Sequence, residues 1–291
     1  MDLLARFCGA TGARRPGPRT LVVCAHPDDE TIGAGARLGA LCDVTLVHVT
    51  DGAPTDLRDA HALGIADRET YARARRRERA AALVLAGVDA RRVLDLGVVD
   101  QEASRALAPL ARRLETLLAR LRPEVVLTHP YEGGHPDHDA TAFAVHAAVG
   151  RLAAGGGVAP VVLEMTSYHA RGRELVTGEF LDAPTAAAVR GAARTVALDA
   201  AARDRKRRML ACYATQARVL APFDVKEERF RIAPAYDFTR PPHDGRLWYE
   251  WFGWGGLTGA RWRALAADAL RALGLAPRPA TEEPAPASAA C

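Results

Sequence analysis

The sequence predicts an α/β fold built on an open, mostly parallel β-sheet. Short apolar segments with the β-branched character of buried strands recur in the first half of the chain, at residues 21–25, 44–49 and 124–128. Segments with helical periodicity separate them, at residues 31–41, 68–86 and 102–121. Strands that alternate with helices form βαβ units, whose ligands bind outside the carboxyl ends of the strands. Each of the three strands ends in polar residues, so we expect the functional site at that edge.

The first predicted strand, residues 21–25, follows the helix breakers Pro16 and Pro18. The sequence Ala-His-Pro-Asp-Asp-Glu occupies residues 25–30, and we expect a helix to begin near Thr31. A short turn therefore presents one imidazole and three carboxylates together. This is a dense arrangement of groups that bind metal ions.

A second dense motif follows the strand at residues 124–128. The Gly133-Gly134 pair precedes His-Pro-Asp-His at residues 135–138, and a helix is predicted near Ala140. Mixed imidazole and carboxylate ligands suit zinc, and a catalytic zinc takes three protein ligands with a fourth position for water. Two histidines and one aspartate would meet this requirement. Either motif alone is explained as well by a helix-capping turn with an incidental histidine, but the pair predicts metal-dependent catalysis.

Later elements are predicted from weaker patterns. Residues 161–167 have strand character, residues 196–220 have helical character, and a last helix is expected at residues 261–273. Residues 223–256 hold most of the tryptophans, interleaved with proline and glycine. This aromatic segment could form one wall of a pocket or cap the core, and we favour the cap.

The chain of 291 residues is predicted to form a single domain over residues 1–275. Its motif-bearing part extends over about residues 18–170, and a C-terminal cap part over about residues 171–275. Residues 276–291 are rich in proline, alanine and glutamate and lack an apolar period, so we expect a disordered tail.

Composition favours a protein that folds alone, in a reducing compartment. Hydrophobic residues make up 49% of the chain, and the net charge is only +4. We interpret the arginine-rich stretches at residues 73–79 and 203–208 as solvated helix faces, so no nucleic-acid partner is predicted. The five cysteines are scattered, without the spacing of a disulfide framework or a zinc site. Residues 1–15 lack a secretory apolar core, and no stretch is apolar enough to span a membrane, so we predict a cytoplasmic location.

The two motifs together resemble the signatures of the PIG-L/LmbE-like family of zinc-dependent N-deacetylases. The resemblance covers about residues 20–146 and, more loosely, the segment 206–216, where relatives often show a lysine, an aromatic residue or histidine, and a glutamine. It implies a Rossmann-like three-layer sandwich with a mostly parallel sheet. It also implies hydrolysis of an N-acetyl group on an amino sugar of the N-acetylglucosamine type.

Residue roles follow from the resemblance, motif by motif. The implied zinc ligands are His26, Asp29 and His138. Asp28 would be the general base, because it could take a proton from water and return it to the leaving amine. His135 would stabilise the oxyanion, with Asp137 orienting it and raising its pKa so that it stays protonated.

Some positions depart from the family pattern or have no assigned role. Some relatives have a tyrosine two residues before the first histidine of the second motif, but Gly133 stands there and Tyr131 lies further back. We leave Glu30 out of the ligand set as a helix-start or supporting carboxylate. The roles of Tyr131, Arg75, His129 and Gln216 stay open.

The favoured function is therefore a zinc-dependent hydrolase that removes an N-acetyl or other N-acyl group from an amino-sugar-containing small molecule or glycoconjugate. An alternative is a metal-dependent amidase on a thiol or peptide-like conjugate, or a hydrolase of a phosphorylated substrate. A non-catalytic sugar- or metal-binding protein is the least favoured, because a binder has no need of Asp28 and His135. The imidazole and carboxylate site also accepts other divalent first-row metals, and the oligomeric state is left open.

Overall fold

The computed structural model describes residues 2–9, 16–181 and 192–275, so the predicted tail at residues 276–291 lies outside the described residues. A seven-stranded sheet forms the centre, in the order β3-β2-β1-β4-β5-β9-β8. Five neighbouring strands, β3 to β5 in that order, are parallel, and the last two are antiparallel. Helices cover both faces. The predicted three-layer α/β fold with a mostly parallel sheet is confirmed.

The strands are β1 (Thr20–Cys24), β2 (Val44–Pro54), β3 (Val93–Asp100), β4 (Val125–Thr128), β5 (Val161–Met165), β6 (Tyr168–Arg171), β7 (Glu174–Thr177), β8 (Arg194–Ala197) and β9 (Glu227–Ile232). The α-helices are α1 (Leu3–Phe7), α2 (Asp29–Leu38), α3 (Arg58–Ala62), α4 (Arg68–Leu85), α5 (Leu107–Leu121), α6 (Pro136–Ala154), α7 (Ala200–Ala211), α8 (Ala217–Leu220) and α9 (Gly259–Leu273). Strands β6 and β7 form a separate hairpin. None of the helices among the described residues is long and apolar enough to cross a membrane.

The two faces of the sheet bury separate halves of the core. Along β1, Leu21 and Val23 pack with α5, α6 and α9, whereas Val22 and Cys24 pack with α1, α2 and α7 on the other face. This alternation is the period of a strand covered on both faces. Helix α9 packs on α5 and α6 and so shares its core with the motif-bearing part. The single-domain assignment stays a prediction.

The boundaries differ from the expectation at several elements. Residues 196–220, expected as one helix, begin as the edge strand β8, continue as α7 and end in short helical turns. Strand β3 at the other edge was not predicted. The helix expected near Ala140 begins at Pro136, because proline suits the first helical position and leaves His135 as the N-cap.

A break in α2 is stabilised by a buried ion pair. The backbone leaves helical geometry at Ala34, so the regular hydrogen bond from the Ala36 amide to the Ile32 carbonyl is replaced. The Ala36 amide donates to Glu228 Oε1 at 2.8 Å, and Lys206 Nζ donates to the Ile32 carbonyl at 2.8 Å. Lys206 and Glu228 pair with each other at 2.9 Å. Both charged side chains therefore supply hydrogen-bond partners to backbone groups of the helix that carries part of the first motif.

We expect the substitution Lys206→Met to lower the free energy of unfolding by about 3–5 kcal/mol, because it leaves the Glu228 carboxylate buried without its cation. Urea unfolding followed by circular dichroism measures the loss. The double variant Lys206→Met/Glu228→Gln removes the unpaired charge and should recover part of the stability. A single variant that loses less than 1 kcal/mol would contradict this account.

Candidate active site

The candidate active site lies where the chain leaves the carboxyl ends of β1, β3 and β4. His26 closely follows β1, Asp100 is the last residue of β3, and His129 directly follows β4. The Ala25 backbone amide donates to His129 Nε2 at 3.0 Å and so ties two of these ends together. The first turn of α6 adds the second motif from one side. The site therefore forms at the edge of the sheet that the sequence predicts.

Three residues from the two motifs bring their ligand atoms together. Asp29 Oδ1 lies 3.1 Å from His138 Nε2, and Asp29 Oδ2 lies 3.3 Å from His26 Nδ1. One ligand atom from each residue lies within 4.8 Å of the others, and all three residues are buried. Two imidazoles and one carboxylate at this spacing fit a zinc-type divalent cation. These are the three residues that the sequence predicts as metal ligands.

The charge of Asp29 is stabilised by the imidazoles around it. Burial alone would raise its pKa, but His138, His129 and His26 outweigh burial and hold the pKa of Asp29 well below its usual range. The His26 backbone amide also donates to Asp29 Oδ2 at 2.6 Å. An ionised carboxylate between imidazoles is what a cation site requires.

The Asp28 side chain contacts the guanidinium of Arg75. Both terminal nitrogens of Arg75 donate to Asp28 Oδ2, at 3.2 and 3.1 Å, and one also donates to the Pro27 carbonyl at 2.8 Å. Asp28 has a φ of 133°, a region that residues other than glycine rarely adopt. Burial raises the pKa of Asp28 above its usual value, and Arg75 opposes this rise. The strained turn and the arginine together fix the direction of this carboxylate.

His135 is held by the start of α6. Its Nδ1 accepts a hydrogen bond from the Asp137 backbone amide at 3.1 Å, so a neutral ring carries its proton on Nε2. Burial, with His26 and His138, holds the pKa of His135 well below its usual range. The raised pKa expected from pairing with Asp137 is therefore not found. A neutral His135 would therefore donate through its Nε2–H.

The Asp137 carboxylate lies within 4.8 Å of ligand atoms of His26 and His135, but its hydrogen bonds are made to other groups. Its carboxylate accepts from the backbone amides of Gln101 at 2.6 Å and Ala103 at 3.1 Å, and it lies 3.4 Å from His26 Nε2. The recorded contact that orients His135 thus comes from the backbone of Asp137. A role of its carboxylate in orienting His135 stays a prediction.

Glu30 supports the first motif from behind. Its Oε1 accepts from the Tyr213 hydroxyl at 2.6 Å, and its Oε2 lies 2.9 Å from His48 Nε2 and accepts from the Asp28 amide at 3.2 Å. These contacts turn the carboxylate away from the metal ligands. These contacts support the expectation from the sequence, and the supporting role of Glu30 stays a prediction.

Sequence reasoning missed Asp100 and left Arg75 and His129 without a role, and all three line the site. Asp100 Oδ1 lies 3.1 Å from His26 Nε2, and His129 stacks on His138 with ring centroids 4.1 Å apart. In the sequence, Asp100 could have been found as the polar residue at which the segment 93–100 ends.

The other open residues lie in supporting positions. The Tyr131 hydroxyl donates to the Arg240 carbonyl at 2.9 Å. Gln216 donates to the Tyr71 hydroxyl at 2.7 Å. Neither of these two hydrogen bonds involves His26, Asp29 or His138.

The aromatic segment 223–256 both caps the core and walls the site. Phe238 and Tyr249 are buried. Trp254 packs against His135 with ring centroids 4.8 Å apart, and Phe252 stacks on Trp254. The two alternatives left open by the sequence are thus both realised, by different residues.

Comparison with known families gives one match, over residues 21–149, to a family described as PIG-L, GlcNAc-PI de-N-acetylase. Among curated proteins, 1D-myo-inositol 2-acetamido-2-deoxy-alpha-D-glucopyranoside deacetylase 3 of Catenulispora acidiphila is 32% identical over 184 residues, covering 54% of this chain and 52% of that protein. The 1D-myo-inositol 2-acetamido-2-deoxy-alpha-D-glucopyranoside deacetylase of Mycobacterium sp. strain KMS is 35% identical over 158 residues, covering 46% and 51%. The chain spans about half the length of the curated relatives it matches.

Solved structures share the fold. The crystal structure of the A40926 pseudoaglycone deacetylase Dbv21 matches with a TM-score of 0.57 and 23% identity, covering 76% of this chain and 99% of that chain. The N,N'-diacetylchitobiose deacetylase from Pyrococcus horikoshii matches with a TM-score of 0.50 and 19% identity, covering 80% and 88%. At these identities the likeness establishes the architecture.

Proposed function

From the match of residues 21–149 to the PIG-L family, we propose that the protein is a zinc-dependent hydrolase that removes an N-acetyl or other N-acyl group from an amino sugar of the N-acetylglucosamine type. The observation that carries the proposal is the convergence of His26, Asp29 and His138, with Asp28 and His135 beside them. Curated relatives named as deacetylases of a 2-acetamido-2-deoxy-glucopyranoside support the substrate class.

His26, Asp29 and His138 would hold the cation. When bound, it supplies Lewis-acid polarisation of the acyl oxygen and makes water more acidic. The donor set favours zinc and also accepts other divalent first-row metals. His26 Nε2 is buried without a hydrogen-bond partner among the described residues, although Asp100 Oδ1 lies nearby at 3.1 Å. This places one imidazole between a ligand carboxylate and a supporting carboxylate.

Asp28 would transfer protons during the reaction. Its carboxylate is buried, lies beside the proposed ligand Asp29 in sequence and is fixed by Arg75, so it could take a proton from the attacking water and return it to the departing amine nitrogen. Amide hydrolysis needs both transfers, because an amide anion is a poor leaving group. A cation-binding protein without catalysis gains nothing from this carboxylate.

His135 would donate a hydrogen bond to the acyl oxygen. Its Nδ1 accepts the Asp137 amide, so Nε2–H is the free donor of a neutral ring. A preorganised donor of this kind contributes on the order of 3 kcal/mol to stabilising an oxyanion. Trp254 packs against the ring and would limit its movement.

The alternatives share the metal site and differ in substrate. An amidase on a thiol or peptide-like conjugate would use the same five side chains. The favoured partner is a small N-acylated amino-sugar compound, without nucleic acid. A cytoplasmic location is also proposed, because the four cysteines within the described residues are free thiols.

Acetate release tests the proposal. Zinc-loaded protein is expected to release acetate from N-acetylglucosamine glycosides. Removal of the metal by a chelator should abolish the activity, and one equivalent of zinc should restore it. Bound metal is counted by elemental analysis in each sample. Failure to release acetate from any N-acetylated amino sugar, with zinc bound, would rule out this substrate class and leave the amidase alternative.

A further inference from the structure

Three aromatic side chains form a continuous strip that begins at the catalytic centre. Trp254 lies against His135 at 4.8 Å between ring centroids, Phe252 stacks on Trp254 at 4.8 Å, and Trp248 lies 5.3 Å from Phe252. The Phe252 and Trp254 planes differ by only 15°. His135 is 7% exposed and Phe252 46%, whereas Trp254 and Trp248 on either side of Phe252 are partly buried. We call Trp248, Phe252 and Trp254 the aromatic strip.

Core packing does not account for this strip. None of its three residues belongs to the hydrophobic core clusters of the described residues. An exposed phenylalanine stacked on a tryptophan beside a buried catalytic histidine leaves apolar ring surface in water. Exposed apolar surface that continues from a site is typical of ligand binding.

The strip is fixed to the site at both ends. The Trp248 amide donates to the Gly133 carbonyl at 2.9 Å, in the loop before the second motif. The Gly255 amide donates to Gln101 Oε1 at 3.0 Å, and the Gln101 amide in turn donates to the Asp137 carboxylate at 2.6 Å. These bonds hold the rings in position before a ligand arrives, which lowers the entropy cost of binding.

We propose that the aromatic strip binds the group attached to the reacting amino sugar, and that this group presents a six-membered ring face, aryl or pyranose. The inference rests on the proposed function and extends it to the remote half of the substrate. Phe252 is 46% exposed, so it offers ring surface to a ligand group that extends from the site. A flat ring can place a whole face against an exposed aromatic ring, whereas an alkyl chain buries less of its surface there.

Four β-glycosides of N-acetylglucosamine with the same reacting sugar test the proposal: the methyl, hexyl and phenyl glycosides and N,N'-diacetylchitobiose. Phenyl and hexyl carry the same number of carbons and differ in shape. We expect kcat/KM for at least one ring-bearing substrate to exceed that of the hexyl and methyl glycosides by about threefold to tenfold. The phenyl and chitobiose arms distinguish an aryl from a pyranose ligand. Hexyl turnover equal to or above that of both ring substrates would overturn the proposal.

Matched substitutions at Phe252 separate ring stacking from apolar area. Phe252→Leu keeps apolar surface and loses the flat ring, whereas Phe252→Tyr keeps the ring. The ratio of ring-bearing to methyl kcat/KM should fall toward one in Phe252→Leu and persist in Phe252→Tyr. An unchanged ratio in Phe252→Leu would overturn the role of the strip.

Failure of the proposed function has a different signature, the absence of acetate from all four glycosides. In that case, binding of the phenyl glycoside is measured directly by the change in tryptophan fluorescence, and this measurement tests the inference. Binding that is lost in Phe252→Leu and kept in Phe252→Tyr supports the strip, and binding that is absent or indifferent to Phe252 overturns it.

Discussion

The substitution Asp28→Asn is expected to leave the cation bound and to lower kcat for deacetylation by about 10²–10⁴-fold. Asparagine keeps the shape of the side chain, and its oxygen still accepts from Arg75, so the turn should persist. It cannot take a proton from water. Because Asp28 contacts Arg75 and lies outside the candidate metal groups, metal content should stay at the parental value. Acetate release and elemental analysis on the same samples measure both quantities.

The matched control is Asp95→Asn, which also removes a carboxylate paired with an arginine, Arg79, but outside the site. It should keep the parental kcat. A zinc-loaded Asp28→Asn protein with parental kcat would show that another group takes the proton. Asp100 is the carboxylate to test next, since it lies 3.1 Å from His26.

The grouping of the proposed metal triad could be predicted because its residues are local to two strand ends. His26 and Asp29 share one turn after β1, and His138 lies in the first turn of α6. A buried parallel strand is apolar throughout, so its end is visible in the sequence. The register of β1 with β4 then brings the two turns together.

Residues from the sheet edge and from helix faces could not be predicted in the same way. Strand β3 is half-exposed, and Asp95 and Gly97 interrupt its apolar pattern, which hid Asp100 at its end. Arg75 lies in an arginine-rich helix whose other arginines resemble it in sequence. Only the packing of α4 against the sheet selects it for burial beside Asp28. Such choices depend on tertiary contacts.

The prediction of one helix over residues 196–220 was wrong for a related reason. Its first part is strand β8, which has a single neighbour, β9, and is largely exposed. An edge strand of this kind has no apolar alternation for the sequence to display. Asp199 then caps α7 by accepting from the Ala202 amide at 2.8 Å. The capping aspartate was therefore the better signal for where the helix begins.

The substitution His138→Gln is expected to lower zinc affinity by more than about 100-fold, which exceeds the usual effect of losing a residue that only supports a ligand. The loss should abolish acetate release at stoichiometric zinc, because only His26 and Asp29 of the triad would remain. Competition with a zinc chelator measures affinity, and elemental analysis after dialysis measures retained metal. Glutamine approximates the size of the ring, so that the fold is perturbed as little as possible.

Two further histidines make the test specific. His146 is partly buried on the same helix and lies outside the site, so His146→Gln should retain the metal. His129 touches Asp29 at 3.2 Å, but its Nε2 accepts the Ala25 amide, so we expect His129→Gln to weaken zinc binding less than His138→Gln. The opposite order would assign the third ligand to the end of β4 instead of α6. The reacting acyl group would then lie nearer to β4, and His135 would no longer be placed to donate to its oxygen.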